Sequence, residues 1–236
     1  MTNRNLIVFC VLLLALLAGA GTLAAQRPGQ GQVPMMSPEP PKDPEYVKLL
    51  DKAKGGDTTI DFKAFRMAHV RSGSPGLRLV DPKIRLKLIE AIKAKKYNDI
   101  ASACQEILKI NFLDSTVHAY AASAFMSLKE TKKQDFHQAI YLGLINSILA
   151  GSDGESPKSA YVVVSPDEIS AVLSAFELTK VSVESVMEGT RRYEVVNVTD
   201  KANGAASKVY FNVDMMPKPP ERPAKPASAP PAEKPE

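Results

Sequence analysis

Apolar residues recur at helical spacing through the first two thirds of the chain. Tyr46, Leu49, Leu50 and Ala53 form a stripe of 3.6-residue period that stops at Gly55-Gly56, and Ile84, Leu88, Ala91 and Ile92 form another that ends near Tyr97. Between them "TTIDFKAFRMAHV" predicts a second helix. Ile100, Ala103, Cys104, Ile107 and Leu108 mark a fourth helix, and Val117, Tyr120, Ala121, Ala124, Phe125 and Leu128 a fifth. Asp43-Pro44 and Asp81-Pro82 each place a carboxylate at the N-cap and a proline at the first helical position. The sixth predicted helix, from about Gln134 to Ala150, is apolar almost all round, which predicts burial on several sides. Gly151 ends it, as a residue free to take the left-handed C-terminal conformation.

Beyond Gly151 the period changes from helical to alternating. "SDGESPKS" turns the chain, "AYVVV" is β-branched enough for a strand, and Ser165-Pro166-Asp167-Glu168 reads as a capping box before Ile169, Val172, Leu173 and Phe176. "TKVSV", "RRYEVVNVT" and "SKVYFNV" are strand candidates. In the last, Val209, Phe211 and Val213 face inward against Tyr210 and Asn212, and Asn203-Gly204 lies in the loop of the hairpin. The predicted fold is α+β: N-terminal helical hairpins over residues 43–150, packed against a small C-terminal mixed α/β sheet region over 151–214. "KKYNDIASACQEILKIN" and "KKQDFHQAIYLGLINSIL" share an aromatic-led start, with Ala139 standing where the first has Ile100, 39 residues earlier. That marks the hairpins as degenerate tetratricopeptide-like pairs rather than a long solenoid.

The ends change the picture of where the protein works. "MTNRNLIVFCVLLLALLAGAGTLAAQ" sets Arg4 before an unbroken apolar run and then small residues, the form of a secretory signal over residues 1–24. Cleavage after Ala24 or after Ala25 satisfies the small-residue rule, and an uncleaved anchor is the alternative. Residues 25–42 read as a disordered linker. Residues 215–236 read as a Pro-rich disordered tail, with eight prolines in the twenty residues from Pro217. The expectation is a secreted or periplasmic protein with no membrane association after signal cleavage.

Loss of the signal takes Cys10 and Arg4, so the formal charge falls from +4 to +3 and Cys104 remains without a disulfide partner. Its place on an apolar stripe makes it a small core hydrophobe. The basic residues are scattered and not interleaved with aromatics, which argues against nucleic acid. None of the three histidines, His69, His118 and His137, has a second ligand at helical metal spacing, and "GSDGES" lacks the alternating oxygens of a calcium loop. No serine elbow, P-loop or dinucleotide fingerprint occurs. No cofactor, metal or catalytic residue is expected. His137 shares a face with Ile140, Tyr141 and Leu144, the setting of a hydrogen-bonded core or interface histidine.

"DFKAFRMAHV", "KKYNDIASACQEILKINFLD", "HQAIYLGLINSILAGSDGESPKSAYVVVSPDE" and "YFNV", taken together, resemble a family of secreted bacterial proteins, domain of unknown function 4919, from about Tyr46 to Val213. The resemblance implies a bacterial envelope or secreted protein and the α+β architecture, and brings no activity with it. The expected function is a non-catalytic module that binds an envelope protein or peptide, with His118, Tyr120, His137, Tyr141 and Asp153 as candidate contact residues. The alternative is a hydrolase-type envelope enzyme with a site assembled where the helical and sheet parts meet.

Overall fold

The computed structural model describes residues 43–73 and 80–216. The predicted signal segment, the linker before Asp43 and residues 217–236 of the predicted tail lie outside the described residues. Helices α1 (Pro44–Lys54), α2 (Phe62–Arg71), α3 (Pro82–Lys93), α4 (Tyr97–Ile110), α5 (Ser115–Ser127) and α6 (Thr131–Leu149) come first. A 3-10 turn (Pro157–Ser159), strand β1 (Tyr161–Val162), helix α7 (Pro166–Ala175) and strands β2 (Leu178–Glu188), β3 (Arg191–Asp200) and β4 (Ala206–Asn212) follow. The fold is α+β, as the periodicity predicts.

The helix starts follow their caps. Asp43 accepts from the backbone N–H groups of Glu45 and Tyr46, Asp61 from Ala64, Asp81 from Lys83 and Asp114 from Val117. Helices α3 and α5 end alike. Lys96 N–H bonds the Ala91 carbonyl and Lys95 N–H that of Ile92; Glu130 bonds Phe125 and Lys129 bonds Met126 in the same way. Lys95 (φ 53°) and Lys129 (φ 60°) hold the left-handed position of this closure, so α3–α4 and α5–α6 are hairpins turned by one device.

Three apolar clusters divide the interior. Leu88, Ile100, Cys104, Ile107, Val117 and Phe125 join α3, α4 and α5. Cys104 is fully enclosed there, and burial pushes its thiol up to about 12. Tyr46, Phe62, Phe65, Phe112, Ile140 and Leu144 join α1 and α2 to α6. Gly143 lets α2 close in, since a Cβ at that position would stand 2.1 Å from the Phe62 ring. The third cluster carries Ile148 from α6, Val172 and Leu173 from α7, and Val196, Val198 and Phe211 from the sheet. Helix α6 touches α2, α5, α7 and β1, which is why its sequence has almost no polar side.

The sheet order is β1-β4-β3-β2. Strands β2, β3 and β4 are antiparallel neighbours, while β1 runs parallel to the end of β4, with Tyr161 opposite Phe211. In β3, Val196 and Val198 face the helices, and Tyr193 and Val195 face the opposite side. The turn after α6 uses Gly151 (φ +80°) as expected, but Gly154 is the more constrained. Gly154 has φ +71°, its carbonyl accepts from Tyr210 N–H at 2.8 Å, and a Cβ there would meet the Tyr161 ring at 2.4 Å.

A buried ion pair ties α2 to α7. Arg66 Nε and Nη2 each lie 2.7 Å from one oxygen of Glu168, and Nη2 also donates to the Val162 carbonyl at 2.8 Å. Nη1 reaches the Ser147 carbonyl at 3.3 Å, and Val164 N–H donates to Glu168 Oε2 at 2.8 Å. Arg66 is 1% exposed and Glu168 5%. The expected capping box therefore takes another form. Ser165 makes no side-chain cap bond; Glu168 N–H bonds the Ser165 carbonyl at 3.2 Å instead, and the Glu168 carboxylate holds Val164 N–H, just before the cap, and Arg66 together.

Two substitutions test this packing. Glu168→Gln leaves a buried guanidinium without its counter-charge and should cost about 3–5 kcal/mol, whereas Arg66→Met combined with Glu168→Met should cost less than either single change. Urea denaturation of Glu168→Gln, Arg66→Met, Glu168→Met and the double variant measures it. Gly143→Ala should cost about 1–3 kcal/mol in the same assay through overpacking against Phe62.

Candidate functional site

The chain brings its candidate residues together only in part. His118 on α5 and His137 on α6 meet with their Nδ1 atoms 3.0 Å apart, and His118 Nε2 lies 2.8 Å from the Phe112 carbonyl. A carbonyl only accepts, so His118 carries its proton on Nε2 and its Nδ1 accepts from His137 Nδ1–H. Phe125 stacks on His137 at 5.5 Å, and Phe112 meets His118 edge-on at 5.0 Å. Burial pulls His118 down to about 3, assisted by its neighbour His137, and pulls His137 down to about 4. Both rings are neutral core members at pH 7, and His118, with no exposed area, presents no surface to a partner.

Of the other candidates, Tyr141 follows His137 by one turn of α6, Tyr120 lies on α5 with His118, and Asp153 lies beyond α6. Tyr120 packs on the α3–α5 cluster, and burial pushes its hydroxyl, like that of Tyr141 on α6, above the ordinary phenol range. Asp153 is exposed in the turn after α6. Its Oδ1 accepts from Glu155 N–H and its carbonyl from the Tyr161 hydroxyl, contacts that shape the turn.

A second polar group sits where α3, the start of α5 and the start of α7 approach one another. Arg85 Nη2 lies 3.0 Å from Asp114 Oδ2 and 3.9 Å from Asp167 Oδ2. Burial raises both carboxyls, Asp167 to about 6, with Asp114 adding to the Asp167 shift and Arg85 opposing it. Asp114 is engaged twice, since its Oδ1 caps Val117 N–H. Among the described residues no group of three or more His, Cys, Asp or Glu side chains is placed to hold a metal ion.

Among the described residues, four of the exposed large apolar side chains lie on one strand of the sheet. β2 is the terminal strand, and ten of its eleven residues, all but Leu178, are exposed. Val181 is 67% exposed and Met187 62%, with Val183 and Val186 near 40%. Register fixes which way they point: Glu184 stands opposite Val195, Val186 opposite Tyr193 and Glu188 opposite Arg191. These side chains border a depression of about 400 Å³ on the face away from the helices, floored by Tyr193, Val195 and Tyr210 and edged by Lys208 and Pro157. An irregularity in the pairing at Val181 interrupts the edge, leaving Ser182–Glu188 as its regular part. The sequence pattern predicts only "TKVSV" as strand here. The alternation of Val183, Ser185 and Met187 against Glu184, Val186 and Glu188 was the signal for the longer strand.

The buried titratable groups give opposing pH dependences. His69, His118 and His137 are all held below their ordinary value of 6.5, so the unfolded chain binds more protons and stability is lost as pH falls from 6.5 toward 4. Asp167 acts in reverse: its raised value adds stability as pH falls from about 6 toward 3.8. Melting temperature should therefore drop between pH 6.5 and 4.5, and drop more steeply in Asp167→Asn. Calorimetry of both proteins across that window measures the difference, and equal slopes would contradict the placement of Asp167.

No curated protein and no solved structure matches the chain. One family model does, over residues 80–222, a span that begins just before α3 and contains the hairpins, α7 and the whole sheet. The resemblance read from the sequence also took in α1 and α2, which precede the matched span. A match over more than half of the 236 residues is decisive, and the chain belongs to the DUF4919 family, a domain of unknown function.

Proposed function

We propose that this is a secreted or periplasmic, non-catalytic protein whose folded core binds a protein or peptide, and that the partner docks along β2. The observation that supports this is the free edge. Among the described residues no strand pairs with the outer side of β2, so a strand of eleven residues, ten of them exposed and four of those large and apolar, offers unpaired backbone N–H and carbonyl groups together with apolar contact area. Addition of an extended partner segment satisfies both at once. The envelope location rests on the signal-like N-terminus.

The helical surface is a poorer receptor than the sequence alone suggests. His118 is enclosed, His137 is 8% exposed, and Tyr120 and Tyr141 are half-buried, so these four offer a partner little open surface. The enzyme alternative would draw on Arg85, Asp114 and Asp167, of which Asp114 is already committed to a helix cap and an ion pair.

A photo-crosslinking residue at Val181, compared with one at Met126 on α5, which is 56% exposed, tests the reading in the living envelope. The same adduct should recur from position 181 and not from 126, and deletion of residues 217–236 should leave it unchanged. Adducts from position 126 alone would move the site to the helices. Turnover of a small molecule by the purified core, lost in Asp167→Asn with the fold unchanged by circular dichroism, would replace the binding reading with the enzymatic one.

A further inference from the structure

We propose that the segment received by β2 is a basic one: an extended peptide with an arginine or lysine standing across the edge from Val186, between Glu184 and Glu188. This deepens the binding reading above and rests on it.

The register carries the argument. Glu184, Val186 and Glu188 alternate onto the face that holds the depression, since their neighbours across β3 are Val195, Tyr193 and Arg191. A residue added opposite Val186 has its Cβ about 5 Å from that of Val186 and lies on the diagonal, roughly 7–8 Å away, from both carboxylate-bearing positions. A long cationic side chain spans that distance to either one. Among the described residues neither Glu184 nor Glu188 makes an ion pair; Glu184 Oε1 accepts only a 3.1 Å hydrogen bond from the Asn197 amide. The cations of this face stand inland of β2, Arg191 across from Glu188 and Lys208 on β4 across from Asn197. An incoming strand therefore meets carboxylates first.

The same pattern argues against other occupants. A second copy pairing antiparallel about Glu184 sets Glu184 against itself, and pairing about Val186 sets Glu184 against Glu188. Pairing about Ser185 puts Glu184 on the diagonal of both glutamates of the other copy. Like charges so placed are destabilising. The chain's own segment from Pro217 has eight prolines in twenty residues, each without the N–H that a ladder needs. On the opposite face of the strand, Val183 (42% exposed) and Met187 (62%) call for apolar residues across from them. For an antiparallel partner this gives the order apolar, basic, any, any, apolar.

Capped heptapeptides test the inference. The probe Thr-Val-Arg-Thr-Thr-Val-Thr and its twin with Glu in place of Arg are titrated against the protein in low salt, with amide chemical shifts as readout. The Arg peptide should bind at least about fivefold more tightly than the Glu peptide, with shifts centred on residues 182–188, because two exposed ion pairs of ordinary strength form or fail to form. Raised salt should weaken the preference. The variant E184Q/E188Q, altered only at exposed positions and checked for unchanged melting temperature, should bind both peptides alike. Equal binding of the two peptides to the unaltered protein at this edge overturns the basic inference and leaves the edge reading standing. Shifts elsewhere, or no binding of either peptide, overturn both. Concentration-dependent dimers that broaden the 182–188 amides would make a second copy the occupant and overturn the inference.

Discussion

The Arg66–Glu168 pair is the contact on which the arrangement of the molecule depends. Enclosing a guanidinium and a carboxylate costs several kcal/mol per ion unless nearly every donor and acceptor is met, so the surroundings must be built to meet them. Here they are: the carbonyls of Val162 and Ser147 take the remaining guanidinium protons, and Val164 N–H completes the carboxylate. Those partners come from α6, from β1 and from the residues that lead into α7. One ion pair thus sets the approach of α2, the end of α6 and the start of α7 to one another. The apolar contacts around it are interchangeable in kind. This fork is not, because only one relative placement gives two 2.7 Å bonds together.

Helix α6 is the mechanical complement of that pair. It touches both halves, α2 and α5 of the helical part and α7 and β1 of the part that follows. Its missing side chain at Gly143 sets the depth to which Phe62, and with it α2, can sink. Arg66 lies one helical turn beyond Phe62, so the glycine and the ion pair fix the same helix at neighbouring points. The histidine pair performs a lesser version of this between α5 and α6, joining the hairpin internally by a single neutral hydrogen bond.

Much of the fold was legible because it rests on local signals. Asp-Pro caps, 3.6-residue stripes and the apolar circumference of α6 are written over a few consecutive residues, and each appears where periodicity places it. What could not be read are contacts between distant segments. Glu168 has the spacing of a capping box, and nothing within four residues tells that its partner stands 102 positions away. A trace was present all the same: Phe62, Phe65, Arg66 and His69 fall at i, i+3, i+4 and i+7, so the arginine sits on the buried stripe of its own helix. The pairing of His118 with His137 was hidden for the same reason, since each looks like a lone core histidine. The edge strand was underread because a strand exposed on both faces has no buried side to impose alternation, and its glutamates dilute the apolar signal.

The distance along the chain between Arg66 and Glu168 also orders events in time. As the chain is made N-terminus first, the residues of α1 to α6 all precede Glu168, so over that interval the Arg66 guanidinium has no Glu168 to pair with and stays in water. The closing of β1 against β4 waits longer still, for Phe211 to appear beside Tyr161. Until both are present, a charge stands on the future interface of α2, and burying it against any surface that lacks a carboxylate is costly.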